Sequence, residues 1–168
     1  MAILKILQET EPDLKKVSRP VEKINKRIIT LLDDLHDTVI EANGIGLAAP
    51  QVGVFRRVAI IETEESGLIE MINPEIIYSD GEQEKVEGCL SAPNKFARTN
   101  RPMTVTVRYT NRNGEEVETS GTELLARAFC HEIDHLNGIL CFDNAVEILT
   151  AEEVEKLREQ EKNEDEDI

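Results

Sequence analysis

The segment His131-Glu132-Ile133-Asp134-His135 constrains this chain more tightly than any other part of its sequence. Residues four apart in a helix lie one turn apart on one face, so two imidazoles at this spacing converge on one point only if the segment is helical. There they can grip one metal ion, and Glu132, beside the first histidine, stands within reach of a metal-bound water as its proton acceptor. Two of the three histidines in the chain fall in this segment. The competing reading is a helix with two core histidines and a surface glutamate. Leu124, Leu125, Ala128 and Phe129 give the segment an apolar face, so the spacing predicts a buried helix. Ser120-Gly121-Thr122-Glu123 reads as a capping box, with Ser120 as cap and Glu123 reaching back, and Gly138 fits the left-handed position after the helix.

The rest of the chain supplies strands and two further helices. Ile28, Leu31, Leu32, Leu35 and Val39 share a helical face that Asn25 caps and Asn43-Gly44 ends. His36, beside that face, reads as an ordinary boundary histidine. The segment before Arg19-Pro20 reads as extended or irregular, and Gly44 to Gly53 as an apolar loop. Strands are expected at Val58–Ile61, at Met71–Tyr78 with an early interruption at Pro74, and at Lys85–Leu90, with a turn at Ser79-Asp80-Gly81. Thr104–Thr110 and Glu116–Thr119 form a hairpin around Asn113-Gly114. Thr150-Ala151-Glu152-Glu153 is a second capping box, opening a helix that runs into an acidic tail. The sum is an α+β fold: short, mostly antiparallel strands around a buried central helix, with an N-terminal and a C-terminal helix. Residues 1–150 read as a single catalytic domain and 151–168 as a C-terminal helix and acidic tail.

With 168 residues there is room for one compact domain, and with 4% aromatics and no Trp its core must be aliphatic. The formal net charge is −15, and Ala151–Ile168 holds nine acidic residues against three basic ones. So acidic a surface repels phosphate backbones, which excludes general nucleic-acid binding. The N-terminus lacks the pattern of a secretory signal, and no apolar run approaches a membrane span. A soluble, cytoplasmic, monomeric protein is expected, with its three cysteines as free thiols or metal ligands rather than disulfides.

A metal held by two histidines needs a third protein ligand, leaving the fourth position to water. Cys141 stands six residues after His135, at the spacing at which metzincin proteases carry a third histidine. Cys89 lies far upstream in Glu87-Gly88-Cys89-Leu90-Ser91, where a strand end can aim a thiolate at a helix. Spacing alone does not choose between them. Cys130, about 100° around the helix from His131, cannot share the metal and reads as packing.

Three segments together resemble the signature motifs of the peptide deformylase family: Gly44-Ile45-Gly46-Leu47-Ala48-Ala49-Pro50-Gln51, Glu87-Gly88-Cys89-Leu90-Ser91, and His131 through Gly138. They stand in that family's order, and the similarity runs over roughly residues 3 to 148. The resemblance implies Cys89, His131 and His135 as metal ligands and Glu132 as general base and acid. It also implies Gln51 and the backbone N–H of Leu90 as donors to the developing oxyanion, and Gly46 as a backbone position lining the cleft. The metal it implies is Fe(II), with zinc, nickel or cobalt as substitutes. The reaction it implies is removal of the formyl group from the N-terminal methionine of newly made polypeptides, releasing formate. Ile45, Leu124 and Ala128 are the candidates for a methionine pocket. Some family members dock transiently on the ribosome through a basic C-terminal helix; the acidic segment here weakens that association.

The sequence departs from the family pattern at Cys130, where many members carry Gln, and Arg127 interrupts an apolar helix, reaching either solvent or the edge of the cleft. Arg101 is a candidate partner for Glu87. The other readings are an endopeptidase using Cys141 as ligand, and a silent deformylase-like binding protein. Separate Cys89→Ser and Cys141→Ser variants divide them: metal analysis should show loss in the first alone, and loss only in the second would favour the peptidase.

Overall fold

The computed structural model describes residues 2–166, so the last two residues of the expected tail lie outside it. Three α-helices, α1 (Lys26–Glu41), α2 (Leu124–Leu136) and α3 (Ala151–Glu166), accompany eight strands. These are β1 (Gly46–Ala48), β2 (Val58–Thr63), β3 (Gly67–Asp80), β4 (Gln83–Cys89), β5 (Ala92–Arg101), β6 (Thr104–Thr110), β7 (Glu116–Thr122) and β8 (Glu147–Thr150). They form two antiparallel sheets, one in the order β1-β2-β3-β6-β7 and one in the order β4-β5-β8. Among the described residues, no helix is long and apolar enough to cross a membrane.

The five-stranded sheet is covered on both faces, and β2 shows why. Successive strand side chains point to opposite faces. Val58 and Ile60 pack with Ile28, Leu32, Leu35 and Val39 of α1. Ala59 and Ile61 pack with Phe129, Cys130 and Ile133 of α2. A run of four buried apolar residues is what a strand covered on both faces requires. Helix α2 thus lies between the two sheets, and its outer face is left to hold polar groups.

Several local signals do what they predict. The Asn25 side chain accepts the N–H of Ile28 at 3.1 Å, capping α1. Thr150 and Glu153 exchange the two hydrogen bonds of a capping box at the start of α3. Pro74 coincides with a register shift in β3 between Ile72 and Glu75, where Asn73 has a positive φ. The capping box expected at Ser120 does not form. Ser120 pairs with Thr106 across the β6–β7 ladder, β7 runs on to Thr122, and α2 starts after Glu123 with no side-chain cap. Ladder hydrogen bonds hold the backbone that a helix would have used. The deepest face of α2 is Ala126, Phe129, Cys130 and Ile133; Leu124 is 44% exposed.

Other boundaries shift for the same reason. The apolar loop contains β1 and a 3-10 turn at Ala49–Val52, because β2 offers an edge with which Gly46–Ala48 can pair. β3 continues to Asp80, opposite Thr104, so the expected turn shortens to the residues around Gly81. β5 and β8 come without local signals, and the N-terminal segment holds a 3-10 turn at Pro12–Lys15 that buries Leu14.

Gly138 follows α2 at φ 73°, and a Cβ there would collide with the backbone carbonyl of Lys15. Gly138→Ala is expected to lower stability by about 2 kcal/mol or more, since left-handed strain and a backbone clash act together. The urea midpoint measures it.

Candidate active site

The end of α2 brings the two histidines of the helical motif to one point. His131 Nε2 and His135 Nε2 lie 3.2 Å apart, with their rings in an edge-on arrangement. Cys89 arrives from β4, where a register shift after Gly88 turns the strand's last residue inward. Its Sγ lies 3.4 Å from His135 Nε2. The ligand atoms of Cys89, His131 and His135 all fall within 4.8 Å of one another.

Cys141 does not join this group. It lies instead with Glu87 and His131, buried, and burial pushes its thiol far up from its ordinary value. Cys130 packs in the core beside Phe129, and burial pushes its thiol up to about 11.

Glu87 fixes the ring of His131 from behind. Its Oε1 sits 2.9 Å from His131 Nδ1, leaving Nε2 for the cluster. Arg101 grips both oxygens of Glu87, as the sequence suggested, and reaches Asp134 on α2 at 2.7 Å. Thr99 donates to Glu87 Oε2 at 2.7 Å. Burial pushes the Glu87 carboxyl up, but the hydrogen bonds from His131 and Arg101 outweigh it and hold it at about 2. Asp134 and Thr99 were not singled out in the sequence. Asp134 sits inside the helical motif, and its position one residue before His135 was the available signal.

Burial pulls both imidazoles toward the neutral form. Around His131 that pull is outweighed by Cys89, Glu132 and Glu87, whereas His135, beside a positive His131, is held well below its ordinary value. One sulfur and two imidazoles gathered in negative surroundings suit a borderline-soft divalent cation.

Glu132 is buried, and its Oε1 has no hydrogen-bond partner. Burial pushes this carboxyl up to about 7. Gly46 of β1 makes room for it: a Cβ at that position would stand 2.7 Å from Glu132 Oε2. Gln51, in the 3-10 turn after β1, uses both ends of its amide. Its Oε1 accepts the N–H of Ala48 at 3.0 Å, while Nε2 reaches Ser91 Oγ at 3.1 Å and Cys89 Sγ at 3.7 Å. Ser91, fully buried, is a partner the sequence did not disclose. Gly46, Gln51 and Glu132 line a cleft of about 550 Å³, which Ile45, Leu90, Leu124 and Ala128 also line. Arg127 edges the same cleft rather than reaching free into solvent.

A carboxylate and a Cys-His-His cluster at the floor of an open cleft, on an α+β scaffold, define a metal-dependent hydrolase. The family model described as polypeptide deformylase matches residues 3–150, and the chain belongs to that family. A peptide deformylase of Alkaliphilus metalliredigens is 56% identical over 146 residues, 87% of this chain and 99% of the relative. Among solved structures, a peptide deformylase from Legionella pneumophila superposes with a TM-score of 0.82 at 37% identity, covering 95% of this chain and 98% of that one. A Met-Ala-Ser-bound peptide deformylase from Acinetobacter baumannii superposes with a TM-score of 0.81 at 35% identity, covering 84% and 99%.

Glu87 and Arg101 are only 10% and 11% exposed at their side chains. Removing Glu87 leaves the buried Arg101 with Asp134 as its one remaining carboxylate and takes away the partner of His131 Nδ1, so Glu87→Ala is expected to cost about 3 kcal/mol of stability. Chemical denaturation of metal-stripped protein measures that cost without the contribution of a bound ion.

Proposed function

We propose that Cys89, His131 and His135 hold one divalent ion, Fe(II) in the cell, and that Glu132 moves the protons of the reaction. The reaction is that of the family: removal of the N-formyl group from the N-terminus of nascent peptides. The convergence of the three ligand atoms within 4.8 Å, beside a buried carboxylate oxygen lacking a partner, carries this reading. Cys141 stands outside the group that contains His135, which leaves the endopeptidase alternative without support.

A divalent ion held by Cys89, His131 and His135 would supply Lewis acidity to the site. Glu132 takes a proton from the water that adds to the formyl carbon. The carbonyl oxygen gains charge, and Gln51 Nε2 and the backbone N–H of Leu90 donate to it. Ser91 and Ala48 hold the Gln51 amide, so that donor is set before substrate arrives. As the C–N bond breaks, Glu132 returns its proton to the leaving amine, and formate departs. Gly46 keeps the space in which the Glu132 carboxylate sits. Ile45, Leu124 and Ala128 receive the methionine side chain; the first two are exposed apolar residues in the cleft.

The catalytic unit is residues 1–150, with 151–168 an appended helix and tail. The enzyme works as a cytoplasmic monomer on N-formylmethionyl nascent peptides. With an acidic C-terminal helix it approaches the ribosome only transiently.

Formate release from formyl-Met-Ala-Ser, with metal analysis on the same anaerobic sample, tests the whole reading. Glu132→Ala should keep its metal and lose about 10²- to 10⁴-fold in kcat. An unchanged rate would remove Glu132 from the mechanism. Equal activity and metal content after handling in air would argue against iron.

A further inference from the structure

Two arginines enter the cleft from different helices, Arg127 from α2 and Arg158 from α3. Among the chain's arginines, these two line that cleft. Arg101, by contrast, is matched by Glu87 and Asp134. Among the described residues, neither Arg127 nor Arg158 forms an ion pair.

Arg127 is nonetheless held in place. Its Nη1 donates to Gln83 Oε1 at 2.6 Å. The Gln83 amide, 6% exposed, is itself fastened by Nε2 to the carbonyls of Pro102 and Glu123 at 2.9 and 3.0 Å. A neutral acceptor fixed at both ends orients the guanidinium and leaves its charge unmatched. Arg158 lies four residues beyond Val154, the buried residue of α3, and so on the same side of that helix, where it stays exposed at the edge of the cleft. The floor of the cleft offers these cations nothing: Glu87 is bound by Arg101 and His131, and Glu132 is buried beside Gly46.

We propose that Arg127 and Arg158 recognise a carboxylate side chain downstream of the formyl-methionine, giving the enzyme a preference for acidic residues early in the nascent chain. The proposal rests on the deformylase reading of the site. A guanidinium pairs with a carboxylate through two parallel N–H donors, a geometry a neutral amide does not match. Without local cations, a protein of net charge −15 would repel such substrates.

The test uses C-terminally amidated formyl-Met peptides, so that only side chains carry a carboxylate, with Glu or Gln at the second, third or fourth position. The ratio of kcat/KM for the Glu peptide to that for the Gln peptide is read within each protein, which cancels any change in basal rate. The metal-loaded wild type should favour Glu by about fivefold at one position, the factor one exposed charged pair supports, mainly through KM and less so in high salt. Arg127→Gln with Arg158→Gln should bring the ratio to within about twofold of unity, and Arg127→Lys should keep part of the preference. A wild-type ratio of one or less at every position overturns the proposal, as does an unchanged ratio in the double variant. Arg158→Gln alone, on an exposed helix surface, keeps the test available if the double variant misfolds. Formate released equally from both peptides sinks this proposal alone; no formate from any peptide removes the deformylase reading beneath it and this proposal together.

Discussion

The hydrogen bond between Glu87 and His131 Nδ1 is the contact on which the site depends. It ties β4 of the smaller sheet to α2, which packs on the larger one. It also settles which ring nitrogen of His131 faces the cluster. Cys89 stands two residues beyond Glu87 on the same strand, so one short stretch of backbone addresses the ring from behind and the cluster from the front. Arg101 completes the arrangement by binding Glu87 and Asp134 together. A buried carboxylate facing an imidazole needs such a cation to stay ionised, and its displacement would loosen two elements at once.

The layered core explains how so polar a cluster is tolerated. Phe129, Cys130 and Ile133 anchor α2 in apolar packing, which leaves His131, Glu132 and His135 on the opposite side of the same helix. The helix does not bend to reach the cluster; the second sheet brings Cys89 to it. β1 contributes by what it lacks, since Gly46 gives the Glu132 carboxylate its space. Burial then raises that carboxyl toward neutrality, where a group can both accept and release a proton.

Local signals were legible where a side chain answers its own backbone. Asn25 and Thr150 cap the helices they precede, and Asn113-Gly114 turns a hairpin, because these interactions need nothing from distant residues. Ser120 has the same pattern as Thr150 and fails to cap, because the β6–β7 ladder holds its backbone. β5 and β8 were illegible for a related reason. The Ala92–Arg101 segment is largely polar and carries a proline, and it becomes a strand because β4 and β8 pair with it on either side. Ser91 and Gln83 escaped notice because their importance lies in partners 40 and 44 residues away.

The sequence alone determined the kind of chemistry. Two histidines one helical turn apart with a carboxylate beside them admit few uses, and helical geometry makes that inference local. It left two cysteines in contention, which only likeness to a known family could separate before the fold was seen. What the tertiary structure adds is that Cys89 meets His135 across 46 residues of chain, a distance no periodicity spans. It also sets the upward shift of the Glu132 carboxyl and the place of Arg127, since both depend on what the folded chain excludes or fastens around them.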